Sequence, residues 1–353
     1  MKLTISRQDL ARVLTNVGRV VEARTTIPIL SSVLLTASAD RLQVTGTDLD
    51  IVATDAAAAT VEAQGAVCVD AKLLADIAKK AGGDVSLSLE GDKLTIKSGR
   101  SKFSLATLSP TDFPLFGEEK YDATFEIDLA ALFGPVAFAI SDESTRYYLN
   151  GIFFRGYDGK SVAVATDGHR LSRHITVETA PFEGVIVPRK TVGLLPKGSV
   201  NVSISQQKIR IQSGDFILVS KLIDGTFPDY ERVIPKNNDK VIVFGSDDMR
   251  QAAGRVSVVS SERGRAVKLS FAEGAAVLSV NNPDSGNATD EIFVKYDGEP
   301  IDIGFNAAYL TELVGIFPAG DIQLALGDSG SPAVFTSEKA DGLLCVLMPM
   351  RTL

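Results

Sequence analysis

Two histidines, His169 and His174, are the residues best suited to proton transfer near neutral pH. His169 stands in Asp167-Gly168-His169-Arg170, with a carboxylate two residues from an imidazole. That is the beginning of a hydrolytic constellation, but no Ser or Cys nucleophile motif accompanies it. A histidine beside glycine in a turn more often has a structural or binding role. Neither histidine has metal-ligand spacing to a partner, so no metal is expected. The chain has no Walker loop and no dinucleotide fingerprint, so no nucleotide cofactor is expected either. Cys68 and Cys345 are far apart and read as packing thiols of a reducing compartment. No catalytic residue is assigned. A cytosolic hydrolase using Asp167 and His169 is kept as a rival reading.

Two other stretches carry binding chemistry. Arg146-Tyr147-Tyr148-Leu149-Asn150-Gly151 joins one cation to two aromatics at what reads as a strand start. Such a group can meet phosphates and stack on exposed bases. It is also consistent with an ordinary strand carrying half-buried tyrosines. The second stretch, Leu343–Leu353, is apolar where chain ends tend to be polar. Met348 and Met350 around Pro349 make a deformable surface suited to varied partners. A buried last strand accounts for Leu343–Leu347 and leaves Met348–Leu353 unexplained.

The elements that must position these residues recur three times. Helix entrances follow strand-like starts at Lys2–Val21, Thr124–Ile140 and Lys240–Ser260. Second helical segments read at Lys72–Ala81, Arg189–Leu195 and Ala307–Phe317. In the first helix Leu10, Val13, Leu14, Val17, Val20 and Val21 follow the helical period, with Arg7, Arg12 and Arg19 off that stripe. Between the helices, alternating runs such as Arg41–Thr45, Lys93–Lys97 and Lys208–Gln212 predict antiparallel sheet. Thr47-Asp48 repeats as Thr166-Asp167 after 119 residues, and Phe113-Pro114 as Phe227-Pro228 after 114. A period near one third of 353 residues predicts three similar α+β domains, at 1–120, 121–242 and 243–353. The linkers are read at Phe116–Asp122 and Pro235–Lys240.

Bulk composition is that of a globular protein, 45% hydrophobic and 23% charged. The N-terminus lacks signal-peptide character and no apolar run is long enough to span a bilayer, so a cytoplasmic setting without membrane contact is expected. The net charge of −8 at first opposes a polyanion partner. Six putative helical windows, 7–24, 72–80, 127–146, 189–197, 247–265 and 307–317, hold fifteen basic and ten acidic residues. They therefore carry +5 while the remainder carries −13. That division suits one basic face on an acidic body.

Taken in order, several words resemble one family, the bacterial DNA polymerase III β subunits or sliding clamps. They are Ile27–Leu30, Gly46–Leu49, Ser98–Ser101, Arg146–Gly151, Ala165–Leu171, Val187–Lys190, Phe227–Tyr230 and Met348–Arg351. The resemblance runs over the whole chain. It implies three clamp domains with sheets outside and helices inside, closed into a ring by head-to-tail dimerisation. It implies sequence-independent binding of double-stranded DNA and no catalytic activity. The implied partners are a second copy of the chain, the DNA polymerase III α subunit, the clamp loader, and other polymerases and repair proteins. The enzymes would dock through short Gln-containing motifs ending in Leu or Phe. A β-rich oligomeric binding protein without a DNA role is the remaining alternative.

By resemblance, Arg24, Tyr147 and Tyr148 are DNA contacts. Glu143 stands where family members can carry Gln; a carboxylate repels phosphate, so it is not counted as a contact. The peptide pocket is expected to involve Leu149, Thr166, Gly168, His169, Arg170, Leu171, Pro228, Val233, Val346, Met348, Pro349, Met350 and Arg351. Thr352 extends the usual ending before Leu353. For the dimer seam, Phe103 and Leu105 are expected to face Val258 and Val259, with Arg100 and Lys102 adding charge pairing.

Overall fold

The computed structural model describes residues 1–22, 25–177, 181–260 and 266–351. Six times a strand runs directly into a helix. Lys2–Ile5 leads to α1 (Arg7–Gly18), Gly65–Asp70 to α2 (Ala71–Lys80), and Ala123–Ile127 to α3 (Leu129–Phe133). Phe182–Pro188 leads to α4 (Arg189–Val192), Lys240–Gly245 to α5 (Ser246–Val256), and Ile301–Asn306 to α6 (Ala307–Val314). The threefold repetition is therefore a repetition of two strand–helix units per third.

Local chemistry explains the helix starts. The Ser6 hydroxyl accepts from the Asp9 N–H, and the Asp70 carboxylate accepts from the Leu73 N–H. Asn306 accepts from the N–H groups of Ala308 and Tyr309. Each side chain satisfies donors that a helix start leaves unpaired. The apolar stripe of α1 is buried at Leu10, Val13, Leu14 and Val17. The helices of the middle third are much shorter than expected. Gly134 and Pro135 follow α3 at once, and proline can neither donate to nor continue a helix. The remainder of 127–146 forms a 3₁₀ turn, Ala137–Ala139, and enters a second 3₁₀ segment, Ser144–Leu149. Gly193 and Pro196 stop α4 in the same way.

The chain forms two compact units, Met1–Asp128 with Gly193–Leu222, and Leu129–Val192 with Ile223–Leu353. The first holds a thirteen-stranded sheet and the second a twelve-stranded one, every described pairing being antiparallel. Each sheet crosses an expected boundary between thirds. In the first, Ile51–Ala58 pairs with Phe216–Lys221, Thr54 lying opposite Ile217. In the second, Arg170–Val177 pairs with Leu343–Leu347, Leu171 lying opposite Val346. The middle third is thus shared between both units.

In the first unit α1 and α2 cover a core that includes Leu3, Leu35, Leu42, Leu74 and Ile96. In the second, α5 and α6 cover Phe271, Phe305, Phe335 and their neighbours. No described helix is long and apolar enough to cross a membrane.

The strand Leu343–Leu347 enters through Gly342, whose φ is +76°. A Cβ at that position would lie 2.0 Å from the Ile175 carbonyl oxygen. Gly342→Ala therefore combines left-handed backbone strain with a collision at the joint between two thirds. It is expected to lower stability by about 3 kcal/mol, read as a reduced urea midpoint.

Candidate peptide-binding site

The turn between strands Lys160–Thr166 and Arg170–Val177 is built around Asp167. Its carboxylate accepts from the N–H groups of His169, at 2.8 Å, and Arg170, at 3.0 Å. The Thr166 hydroxyl donates to the Arg170 carbonyl and accepts from the Gly168 N–H. Thr47-Asp48 makes the same turn in the first third: Asp48 accepts from Asp50 and Ile51, and Thr47 from Leu49. The third residue is left-handed in both, Gly168 at φ +89° and Leu49 at +80°.

Arg170 does not present its guanidinium to solvent. Nε meets Asp167 at 3.0 Å, Nη1 meets Glu312 at 2.6 Å, and Nη2 donates to the Phe138 carbonyl at 2.8 Å. The cation also stacks over Phe138 and Tyr309, 5.0 and 4.3 Å from the ring centroids. It is a rivet that holds the turn to two other segments. With Asp167 committed to Arg170 and two main-chain donors, the carboxylate–imidazole pair needed by the hydrolase reading does not form around it. His169 is exposed, its ring 6.3 Å from that of Tyr309. His174 instead uses Nδ1 against the Leu132 carbonyl. Among the described residues no cluster of metal-ligating side chains occurs.

Beneath the turn Leu149, Leu171 and Val346 are buried in one cluster with Val162, Val164, Ile186, Phe227 and Tyr230. Phe227 and Tyr230 anchor the segment in which Pro228 and Val233 stay exposed. The Met348 N–H donates to the His169 carbonyl at 2.9 Å, which ties the chain end to the turn. After that bond the chain opens: Met348 is 43% and Met350 36% exposed. Pro349 is half-buried and Arg351 exposed, whereas Thr352 and Leu353 lie outside the described residues. The last strand is thus buried to Leu347 and leaves an apolar rim beyond it. Thr166 and Gly168 lie on the turn side of that rim.

Arg146, Tyr147 and Tyr148 are not at a strand start. They belong to the 3₁₀ segment Ser144–Leu149, and the strand begins at Gly151. Tyr147 is exposed, while Tyr148 packs on the pocket cluster and meets Tyr147 edge-on at 5.8 Å. Arg146 donates to Glu143 and to the Asp167 carbonyl. A Cβ on Gly168 would sit 2.6 Å from its Nη1. Arg146 is therefore a bracket between the tyrosine segment and the turn. Hydrogen bonds from Thr145 and then Arg146 hold the Glu143 carboxyl below its ordinary range. The charge of Glu143 is met inside the protein.

Arg24 lies outside the described residues. Several helix-borne cations are tied down: Arg12 to Asp55 at 3.0 Å, Arg19 to the Gly193 carbonyl, and Arg255 to Asp290. Of the expected seam residues, Arg100, Lys102 and Phe103 are exposed and Leu105 is half-buried on strand Ser101–Leu108. Val258 is 82% exposed; Val259 packs on the core, its carbonyl accepting from Asn282. The sequence reading missed two apolar side chains, Leu73 on α2 and Phe293 on strand Gly286–Lys295. Alternation in Ile292-Phe293-Val294 buries the outer two and turns Phe293 outward, a signal that period two could have supplied.

Three sequence models match in order along the chain. They describe the N-terminal, central and C-terminal domains of the DNA polymerase III beta subunit, at residues 1–117, 126–229 and 231–351. The chain belongs to the DNA polymerase III beta subunit family. The beta sliding clamp of Caulobacter vibrioides is 41% identical, covering 99% of this chain and 100% of that protein. That of Escherichia coli K12 is 35% identical over the same shares. Among solved structures, a Bartonella birtlesii sliding clamp bound to griselimycin superposes with a TM-score of 0.95 at 40% identity. The Pseudomonas aeruginosa subunit gives 0.96 at 36%, and both comparisons cover the whole of each chain. The chain is thus a three-domain DNA sliding clamp of the polymerase III system.

Within this clamp Arg170 bears on stability. Arg170→Lys keeps the charge but loses the planar fork and the stacking between two rings. Because the side chain is only 10% exposed, the change should cost about 3 kcal/mol. Thermal unfolding should show it, together with faster proteolysis within 166–171.

Proposed function

We propose that this clamp acts as a head-to-tail homodimeric ring around duplex DNA, holding polymerases there through its C-terminal pocket. The observation that carries the ring is a pair of half-open sheet edges. Strand Ser101–Leu108 pairs through Ser101–Ala106 with Lys93–Ser98, but on its other side, among the described residues, only Thr107 and Leu108 have partners. Strand Gly286–Lys295 pairs with Ala275–Asn282, but on its other side, again among the described residues, only Val294 and Lys295 do. An open edge is a template for pairing with another chain. The first edge carries Lys102 and Phe103, with Arg100 in the turn before it; the second carries Glu291 and Phe293. Opposite charge and one exposed aromatic on each support their union, with Leu105, Val258, Val259 and Leu73 alongside. Because the two edges differ, the contact is heterologous, and a closing rotation gives a ring.

The domain boundaries proposed for the ring remain 1–120, 121–242 and 243–353. DNA would meet Arg24, Tyr147 and Tyr148 through phosphate and stacking contacts that carry no sequence information, so the ring slides. The docking peptide would end in Leu or Phe, lie on Leu149, Leu171 and Val346, and be rimmed by Thr166, Gly168, His169, Pro228, Val233 and Met348–Arg351. Arg170 would support that rim from behind. The α subunit, the clamp loader and repair enzymes would compete for this site. Tethering raises their effective concentration at DNA, so a weak contact is enough for processivity. In this reading the protein is cytoplasmic and has no catalytic activity, and its effect appears only through the enzymes it tethers.

Phe103→Asp and Phe293→Asp should each give a folded monomer, measured by light scattering, because each places a charge against apolar surface at the seam. A tight dimer in both variants would exclude this seam. On nicked circular DNA the wild-type protein should be retained, and linearising the circle should release it; stable retention on short open duplexes would contradict sliding. Removing Met348–Leu353 should leave a dimer able to encircle DNA yet abolish binding of Leu/Phe-ended peptides. Undiminished binding of a fluorescent motif peptide would place the pocket elsewhere.

A further inference from the structure

The joint between Ile51–Ala58 and Phe216–Lys221 is a second version of the joint at the chain end. Val52 lies opposite Val219 where Leu171 lies opposite Val346. The Lys221 N–H donates to the Asp50 carbonyl at 2.8 Å, as the Met348 N–H does to that of His169. Phe113 is buried against Leu34 and Cys68, as Phe227 is stacked on Phe153. The two joints differ in the connector that spans them. Leu34 lies opposite Thr45, and Thr45 opposite Thr54, their hydroxyls meeting at 3.1 Å. Lys208 lies opposite Lys221, which is two residues from Val219 and shares its face. The connector is seated on Leu34 by Phe113 and beside both lysines by Phe116, so it spans the joint on that face.

Length sets how each connector can run. Six strand spacings separate Ser32–Ser38 from Ala123–Ile127 in one sheet, and Gly151–Tyr157 from Lys240–Gly245 in the other. At about 4.8 Å per spacing the distance is about 29 Å in both. Ala123 follows Phe113 by ten residues, a reach of about 35 Å, and Lys240 follows Phe227 by thirteen, about 45 Å. The first connector is therefore close to taut and forms no helical turn after Phe113. The second spends its slack in the 3₁₀ turn Tyr230–Val233 and leaves Val233 exposed.

The first connector is also held by its side chains. The Phe116 ring centroid is 5.2 Å from the Lys208 ammonium and 5.9 Å from that of Lys221. Lys208 donates to Glu119 at 2.6 Å, and both side chains are half-buried. Hydrogen bonds from Lys208 and then Ser205 hold the Glu119 carboxyl below its ordinary range. A ring face attracts an ammonium, and a charge-assisted hydrogen bond is stronger than a neutral one. Lys221 stands where Met348 stands in the other joint, so a cation replaces the apolar rim.

We propose that Phe116–Glu119 is a plug that fills, in cis, a second peptide groove at the first joint. The groove takes an aromatic residue followed at the third position by a carboxylate. The chain thus holds two grooves of different chemistry, one open beside the C-terminal strand and one occupied by its own connector. Covalent attachment gives the plug a high effective concentration, so a matching segment of another protein enters only when the plug is displaced. The two grooves share no residue, and neither reading depends on the other.

The test uses the full-length protein and a fluorescent peptide copying Leu115–Tyr121. The Phe116→Ala/Glu119→Gln double variant should take one peptide per chain, at least about tenfold more tightly than the wild type does. Gly-Ser-Gly inserted after Gly117 keeps every native side chain and gives this connector the length of the second. That insertion should yield an affinity between the other two. Gly117 is exposed, so the insertion tests the plug even where the double variant unfolds. An excess of a Leu/Phe-ended motif peptide should leave the binding unchanged. Equal affinity of the wild type and both variants overturns the plug. Absence of binding to variants with native circular dichroism overturns the groove, and displacement by the motif peptide assigns the binding to the C-terminal pocket and overturns it too.

Discussion

Antiparallel pairing of Arg170–Val177 with Leu343–Leu347 is the joint on which the candidate pocket depends. It brings a turn from the middle third and the end of the last third together by main-chain hydrogen bonds, which do not depend on side-chain identity. The side chains are then free to specialise. Leu171 and Val346, directly opposite, become floor, and the Met348 N–H extends the ladder by one bond to His169. Past that bond Pro349 supplies no donor, and the chain leaves the sheet as a rim. The joint between Ile51–Ala58 and Phe216–Lys221 is built the same way. There the chain runs on through Leu222, whose N–H donates to the Gln207 carbonyl, into the next segment.

Charge in this molecule is spent inward as often as outward. Arg12 reaches a buried Asp55, which also accepts from Asn16 and from the Ala56 N–H. Arg170 is held by two carboxylates, a carbonyl and two rings. Arg146 holds Glu143 and the turn at once. These are structural uses of arginine, whose planar fork can serve several acceptors simultaneously. An acidic protein that must pass over DNA without gripping it is well served by such internal pairing. It lowers the number of free cations near phosphate, and each phosphate contact steepens the salt dependence of binding.

Much of the repeat was legible because it is written in short-range chemistry. Ser6, Asp70 and Asn306 announce helix starts, and alternation in Lys93–Ser98 and Lys208–Ser213 announces strands. The helical windows of the middle third were read too long because apolar spacing through Leu132, Phe133 and Val136 outweighed the break at Gly134-Pro135. The pocket was legible only as a set of words shared with a family. Which residues form floor, rim or rivet depends on burial decided by strands far apart in sequence. The structural ties of Arg146 and Arg170 were not legible, because nothing local reveals Asp167's carbonyl or the rings of Phe138 and Tyr309. Phe293 was missed for the opposite reason: its outward direction was local information, hidden inside a strand that reads as ordinary.

The duplicated turn separates two demands that a single glycine would confound. Leu49 and Gly168 occupy equivalent positions and both adopt positive φ. The conformation is therefore imposed by the turn itself, and a leucine can bear it at a cost of about 1 kcal/mol. At Gly168 a Cβ would also meet the Arg146 guanidinium. Glycine at 168 thus answers to a neighbour as well as to the backbone. A side chain there would carry the strain that Leu49 carries and would also push the Arg146 guanidinium from its place between Glu143 and the Asp167 carbonyl. Of the two copies of the turn, the second is the less tolerant of change, because one position serves a backbone and a bracket at once.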